Sequence, residues 1–149
     1  FIVVKAFGMY NTHLSLIVLQ AFSAFGVFLL RQNMLSIPDS LHEAAKIDGC
    51  STFGIYRKII LPLSQNGLAT LTVLTFNSVW NDYMGPMIYL DSDRLKTIQL
   101  GLASFQQQFS ADYGAIIAGT VCSVIPLILD NCIGQKYIVE GVAFAGVKG

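Results

Sequence analysis

Three long runs of the sequence carry almost no charge, and they constrain the fold more than any other feature. Residues 6–30 contain no Asp, Glu, Lys or Arg, residues 67–90 contain one acid, Asp82, and residues 113–129 contain none. A helix that crosses a membrane needs about 20 predominantly apolar residues, within a range of about 17–25. All three runs qualify, the third only just, so the pattern predicts an all-α, polytopic transmembrane helical bundle.

Composition and charge agree with a membrane protein and give no sign of a nucleic-acid-binding protein or of a cysteine-based disulfide or metal site. Apolar residues make up 54% of the chain and charged residues 12%, against about 25% charged in an average soluble domain. The formal net charge is zero, so nothing indicates a nucleic-acid partner, which requires a basic surface. The three cysteines form neither a close pair nor a metal-type spacing.

The distribution of charge divides the chain into spans and loops. We predict an N-terminal stub, three complete spans at 13–30, 66–90 and 113–137, and a polar loop after each of the first two, at 31–65 and 91–112. Lys and Arg concentrate in cytoplasmic loops. The first loop holds four of them and the second holds two, which makes the first loop and the tail at 139–149 cytoplasmic; they are Arg31, Lys46, Arg57 and Lys58 against Arg94 and Lys96, with Lys136 and Lys148 near the end.

The cytoplasmic loop contains a short helix with recognisable ends. Pro38 suits a first helical turn, and Ser40 with Glu43 has the spacing of a capping box. Gly49 is placed to end the helix, because glycine enters the left-handed conformation at little cost.

A second helix is predicted directly after the first. Ser51 or Thr52 can cap it, and Pro62 interrupts it where the chain re-enters the membrane. The two helices form an elbow that presents Ala44 and Ala45, whose small side chains permit close docking against another protein.

The elbow resembles a known loop at fixed spacing. Seven positions reproduce the EAA loop of binding-protein-dependent ABC importers, EAA-x3-G-x9-I-x-L-P: Glu43, Ala44, Ala45, Gly49, Ile59, Leu61 and Pro62. Trp80-Asn81-Asp82-Tyr83 resembles the signature of the carbohydrate-uptake permeases, and 97–102, 139–141 and 146–149 resemble later segments of that family. The chain is similar to the C-terminal part of a permease of the smaller maltose type, with an ABC transmembrane type-1 domain over 1–138.

The resemblance implies a mechanism and a set of partners. The permease is expected to form half of a sugar path and to perform no chemistry itself. Its EAA loop would couple to an ABC ATPase dimer that binds ATP and Mg²⁺, with Glu43 pairing with a basic group of that ATPase, Ala44 and Ala45 packing closely and Gly49 making the turn. Further expected partners are a second permease subunit, an extracellular or periplasmic sugar-binding protein and membrane lipid. The expected location is the cytoplasmic (inner) membrane of a bacterium or archaeon. The family fold has six spans, so about the first half is expected to be missing here.

Glu43 also has a simpler interpretation, in which it caps its helix and pairs with Lys46. A polar stripe along the second span likewise has two interpretations. Its members are Gly67, Thr70, Asn77, Asn81 and Gly85. Asn77 and Asn81 are candidates for lining the sugar path, but Gly, Thr and Asn are also ordinary contact residues between membrane helices.

The third span has small residues at four-residue spacing, with Pro126 expected to kink it. Asp130-Asn131 departs from the family pattern, and an acid at that depth must find a partner, stay protonated or lie near the interface.

Two other functions remain open. The transporter could import a polyol or glycerol phosphate instead of a sugar. A membrane-embedded enzyme would use Asp82, Asp130 and a histidine, but none of these lie at helical spacing from one another. His13 and His42 lack a second ligand at metal spacing, and no Walker motif occurs, so no catalytic, cofactor or metal residue is assigned.

Overall fold

The computed structural model describes residues 1–108 and 113–146, and side chains for 1–104 and 113–137. Within these ranges the chain is helical and contains no strand, as the sequence predicts. The helices are α1 (Ile2–Ala6), α2 (His13–Gln20), α3 (Ala24–Leu35), α4 (Asp39–Ile47), α5 (Thr52–Ile55), a π-helical turn (Tyr56–Ile60), α6 (Leu61–Leu63), α7 (Gln65–Trp80), α8 (Met84–Tyr89), a 3₁₀ turn (Asp93–Leu95), α9 (Ile98–Gln108) and α10 (Tyr113–Gly146).

One helix meets the length and hydropathy of a membrane span by itself. It is the segment Tyr113–Tyr137 of α10, with a mean hydropathy of 1.9. Two broken pairs pass the same test together, His13–Gln20 with Ala24–Leu35 and Thr52–Leu63 with Gln65–Trp80, and the second pair is bent by 67°.

The helices differ from the predicted spans in three places. The predicted span at 13–30 is divided between α2 and α3, and α3 continues to Leu35. No single helix covers 66–90, because α7 ends at Trp80 and three non-helical residues precede α8. The helix of the third span continues past residue 137 to Gly146, so most of the predicted tail is helical. Of the predicted terminal motif at 146–149, only Gly146 lies within the described residues.

The chain divides into two compact units. The first unit comprises Phe1–Phe22 and Phe76–Asn131. In it α2 contacts α8, and Asn11 connects distant segments: its N–H donates to the Tyr89 carbonyl, and its Oδ1 accepts from the N–H groups of Asp91 and Ser92, at 3.0 Å each. Asn11 has a φ of +56°, a conformation that Asn tolerates better than most residues.

The second unit comprises Ser23–Thr75 and Cys132–Gly149. Its helices approach closely where glycine removes a side chain. A Cβ at Gly67 would lie 2.6 Å from Asn33 Cγ, and one at Gly134 would overlap the Val73 side chain. Thr70, fully buried, donates from Oγ1 to the carbonyls of Asn66 and Tyr137 at 2.9 and 2.8 Å. Small residues and hydroxyl groups are the usual contacts between membrane helices.

The apolar residues of α10 face outward, the reverse of a soluble core. Ile117, Val121 and Ile125 are each at least half exposed, whereas Ser123 is 4% exposed. Of the two predicted small-residue rows, Ala115, Gly119 and Ser123 are turned toward the chain, while Gly114, Ala118 and Cys122 are exposed. This arrangement suits a helix whose surroundings are lipid or other membrane helices.

Candidate functional site

The first helix of the elbow that the sequence predicts to be cytoplasmic, α4, ends in a complete Schellman motif. The N–H of Gly49 donates to the Lys46 carbonyl and that of Cys50 to the Ala45 carbonyl, both at 3.0 Å. Gly49 has a φ of +75°, as the sequence predicts. These bonds satisfy carbonyls that a helix end would otherwise leave free, and they fix the turn of the elbow.

The start of α4 differs from the prediction. The helix begins at Asp39 with Pro38 as its N-cap, and no side chain caps it. Ser40 lies inside the first turn, so the capping box of Ser40 and Glu43 does not form. The reason is Pro38, whose φ of −61° and ψ of 133° already set the entry into the helix.

The second helix is capped as expected and then changes its hydrogen bonding. Ser51 Oγ accepts from the N–H of Gly54 at 3.2 Å. The helix widens into a π turn in which the Leu61 N–H donates to the Tyr56 carbonyl. Pro62 follows directly, and it has no N–H to give to the Lys58 carbonyl. The bend comes two residues later, at Ser64, not at the proline.

The two alanines of the EAA motif lie in different surroundings. Ala44 is exposed, whereas Ala45 is 5% exposed. Ala45 is the buried residue of α4, Ile55 is that of α5, and the two helices are in contact. Of the pair, only Ala44 is available to another protein.

Glu43 is exposed and, among the described residues, forms no ion pair with Lys46 or any other base. Neither role in the simpler interpretation of Glu43 is present here, because it does not cap α4 either. Among the remaining motif residues, Ile59 and Leu61 are half-buried and Pro62 is exposed.

Large apolar side chains protrude from the elbow although it is polar in sequence. Ile47 is 86% exposed and Phe53 is 70% exposed, and Leu41 and Tyr56 are also exposed. Phe53 and Tyr56 belong to the broken helix pair that passes the membrane-span test, so these exposed side chains can meet either another protein or lipid.

The polar stripe of the second span separates into residues with different partners. In the second unit, Gly67 packs against Asn33 and Thr70 bonds Tyr137. In the first unit, Asn81 directly follows α7, and its Nδ2 donates to the Asn77 carbonyl in the last turn of that helix at 2.9 Å. Gly67 and Thr70 therefore serve contacts between helices.

Asp130 finds a partner in Asn77. Asn77 Nδ2 donates to Asp130 Oδ2 at 2.9 Å, and Asn131 Nδ2 lies 3.4 Å from Asn77 Oδ1 and 2.8 Å from the Leu127 carbonyl. A hydrogen bond from an amide to a carboxylate is strong in an apolar medium. This cluster connects α7 and α10 within the first unit.

Asp82 also accepts from a carboxamide. Gln20 Nε2 donates to its Oδ2 at 2.7 Å, and the Gly85 N–H donates to its Oδ1 at 3.1 Å. The second bond satisfies a free N–H at the start of α8. The sequence gives no indication of Gln20, which lies 62 residues away.

These acids do not form an enzyme-like site. Among the described residues, neither Asp82 nor Asp130 is bonded to a histidine, and no group of His, Cys, Asp and Glu could hold a metal ion. His13 Nε2 lies 3.0 Å from the Leu95 carbonyl. Within the described part of the chain these acids connect helices and helix ends, and neither lies next to a nucleophile and a base.

The family model of the binding-protein-dependent transport system inner membrane component matches residues 1–138. The chain belongs to this family. It is 38% identical over 149 residues, 99% of its length, to the probable ABC transporter permease protein YurM of Bacillus subtilis (strain 168). It is 34% identical over 93% of its length to the arabinooligosaccharides transport system permease protein AraQ of Halalkalibacterium halodurans. It is 33% identical over 91% of its length to the lactose transport system permease protein LacG of Rhizobium radiobacter.

The chain spans about half the length of the curated relatives it matches, 50% for each of these three. Membership in this family of ABC transport permeases confirms the resemblance to the carbohydrate-uptake permeases and the helical membrane fold.

Proposed function

We propose that this chain forms part of a permease subunit of an ATP-driven importer for a sugar and docks on a separate ATPase through its cytoplasmic elbow. The observation that carries the proposal is the elbow itself. It combines an EAA spacing, an exposed Ala44 and protruding Ile47 and Phe53 on a helix that Gly49 ends rigidly. Two relatives, named as transport permeases for arabinooligosaccharides and for lactose, support a sugar as the solute.

The elbow continues into the membrane helix with one intervening residue. The Ser64 N–H donates to the Ile60 carbonyl at 2.9 Å, and the Leu68 N–H donates to the Ser64 carbonyl at 3.0 Å. Hydrogen bonding thus passes across the bend between Thr52–Leu63 and Gln65–Trp80. A force on a docked elbow would be transmitted to α7 as a lever and not absorbed in a loose loop.

The chemistry of transport is divided among subunits. ATP and Mg²⁺ bind to the ATPase dimer, the extracellular or periplasmic binding protein delivers the sugar, and a second permease completes the path. This subunit contributes helices and no catalytic group. The exposed Glu43 is available to a basic group of the ATPase, and Ala44 sets how closely the two proteins approach.

The test is uptake by the complete transporter, reconstituted in proteoliposomes with its ATPase, second permease and binding protein. Labelled lactose, arabinobiose, glycerol and glycerol phosphate are offered in turn, with ATP inside. We expect accumulation of a sugar that requires both ATP and the binding protein. Accumulation of glycerol or glycerol phosphate alone would favour the polyol alternative, and uptake independent of ATP would contradict the proposal.

Two variants connect uptake to the elbow. Ala44→Trp enlarges the exposed alanine, and overpacking a close contact typically costs about 1–3 kcal/mol, so uptake should fall while membrane insertion is normal. Ala24→Trp changes an exposed alanine of α3 outside the elbow and serves as the control. Wild-type uptake by Ala44→Trp would show that the elbow is not a docking site.

A further inference from the structure

A cavity of about 350 Å³ lies in the first unit, where α7 ends beside the segment that leads into α9. It is lined by Phe76, Val79, Trp80, Lys96, Thr97 and Ile98. Small-molecule pockets have volumes of about 300–1,000 Å³, so the cavity is large enough for a small ligand. None of its lining residues has a role in the coupling elbow or in the Asn77–Asp130 cluster.

One wall of the cavity is a pair of stacked aromatic rings. Phe76 and Trp80 are one helical turn apart, with ring centroids 5.4 Å apart and planes inclined by 22°. Trp80 Nε1 donates to the Ser123 carbonyl at 3.0 Å, which fixes the orientation of the indole. The fixed aromatic pair makes this part of the lining apolar, which suits the C–H face of a sugar ring.

The cavity lining also includes a lysine that is held in place by two neighbours. Lys96 Nζ lies 2.7 Å from Asp93 Oδ1 and donates to Ser104 Oγ at 3.3 Å, while Ser104 Oγ donates to the Leu100 carbonyl. An ammonium group has three N–H donors. Two are engaged among the described residues, and the third is available to a ligand.

Thr97 adds a hydroxyl beside this lysine. Its Oγ1 accepts from the Leu100 N–H at 3.4 Å, at the start of α9. The hydroxyl proton has no acceptor among the described residues and can donate to a ligand. A lining that combines an aromatic pair with one ammonium and one hydroxyl donor matches the chemistry of a sugar, whose ring face is apolar and whose edge carries oxygens.

We propose that this cavity is a sugar-binding subsite, with the ring of the sugar on Trp80 and Phe76 and its hydroxyl groups on Lys96 and Thr97. The inference rests on the proposed transport function and adds a location on this subunit for the solute. Because Asp93 already balances the charge of Lys96, the site favours a neutral sugar over a phosphorylated solute. In the predicted orientation it lies toward the external side, where a delivered sugar first meets the permease.

Sugar protection of a cysteine in the cavity tests the inference directly. Ile98→Cys lies in the lining, and Ile88→Cys is the matched control outside it, because the two isoleucines are 49% and 47% exposed. Both are made in the complete transporter after replacing Cys50, Cys122 and Cys132, and a small hydrophilic maleimide is added without binding protein. The probe is lactose or arabinobiose, whichever sugar the wild-type transporter accumulates.

We expect that sugar to slow labelling of Ile98→Cys and to leave Ile88→Cys unchanged, while a sugar that is not transported protects neither. In parallel, Lys96→Met should raise the half-saturating sugar concentration for uptake by about tenfold, the effect of losing one charge-assisted hydrogen bond. Phe76→Leu should weaken binding of the same sugar, because it removes one ring of the stacked pair. Arg94→Met, an exposed base of the same loop outside the cavity, should behave as wild type.

The outcomes separate the inference from the proposed function. Wild-type sugar uptake combined with no protection at position 98 and an unchanged half-saturation in Lys96→Met would overturn the subsite and leave the transporter assignment standing. Absence of sugar uptake by the wild-type transporter would overturn both. If Phe76→Leu fails to co-purify with the ATPase, Lys96→Met and the labelling result decide, because neither changes the aromatic pair.

Discussion

Replacement of Gly49 should disrupt coupling through backbone conformation alone. Gly49 has a φ of +75°, and a Cβ added there would meet no heavy atom within 4 Å. A larger side chain therefore causes no steric clash, and the effect of substitution comes from the left-handed conformation. That conformation costs an L-residue about 1–2 kcal/mol, equivalent to a factor of about 5–30 in an equilibrium constant.

The expected severity of three substitutions at Gly49 follows from this conformational cost. Gly49→Asn should be mildest, because asparagine is the next most common residue at this position of a helix end. Gly49→Ala should lower the equilibrium constant for forming the turned elbow by up to about 5–30-fold. Gly49→Pro should be most severe, since proline fixes φ near −65° and has no N–H to donate to the Lys46 carbonyl.

The assay is the ratio of ATP hydrolysis with sugar-loaded binding protein to hydrolysis without it, in proteoliposomes. Gly8→Ala is the matched control, because Gly8 has a φ of +68° with no heavy atom within 4 Å of an added Cβ, outside the elbow. It has the same conformational cost and should leave the ratio unchanged. A wild-type ratio in Gly49→Pro, or an equal loss in Gly8→Ala and Gly49→Ala, would show that coupling does not depend on the left-handed turn at Gly49.

Three further predictions concern topology, the membrane cluster and the loop at Asp93. In a cysteine-free background, Ser51→Cys should react with an impermeant maleimide only from the cytoplasm and Ser92→Cys only from outside, and the reverse pattern would contradict the orientation. Asn77→Leu removes the amide that donates to Asp130 and should destabilise the contact between α7 and α10 by about 1.5–3 kcal/mol, so that less subunit assembles with the ATPase. The double variant Asn77→Leu with Asp130→Leu should recover assembly, because removing both partners is nearly neutral. Normal assembly of the single variant would exclude a contact role for Asn77. Lys96, first by its hydrogen bond and then by its charge, lowers the pKa of Asp93 below its ordinary value. The resulting stability is present above the unfolded pKa and is lost as pH falls through the folded pKa. Asp93→Asn should therefore show the same small deficit in thermal unfolding at pH 5 and pH 8 and none in strong acid, and a deficit that changes between pH 5 and pH 8 would disprove this.

Local features of the elbow could be predicted because their causes lie within a few residues. A glycine after an amphipathic segment and a serine two residues later determine the turn and the next cap, and both form as expected at Gly49 and Ser51. The capping box failed because two local signals competed. Pro38 sets the helix entry one residue before Asp39, which places Ser40 inside the helix.

Features that depend on distant partners could not be read from the sequence. The end of α7 at Trp80 has no glycine or proline to mark it, and Asp82, which bonds both Gln20 and Gly85, is recognisable only in the folded chain. The partner of Asp130 is 53 residues away at Asn77. The difference between Ala44 and Ala45 likewise depends on how α5 folds back, since both are small residues at the same sequence motif.

Contact between the elbow and the ATPase is the central claim, and site-specific photo-crosslinking measures it directly. Benzophenone-maleimide is attached at Ala44→Cys, which is exposed, or at Ala45→Cys, which is buried in the elbow, in the assembled cysteine-free transporter. We expect a crosslinked product with the ATPase subunit from position 44 and little or none from position 45. An active transporter that yields no ATPase product from position 44 would contradict this expectation.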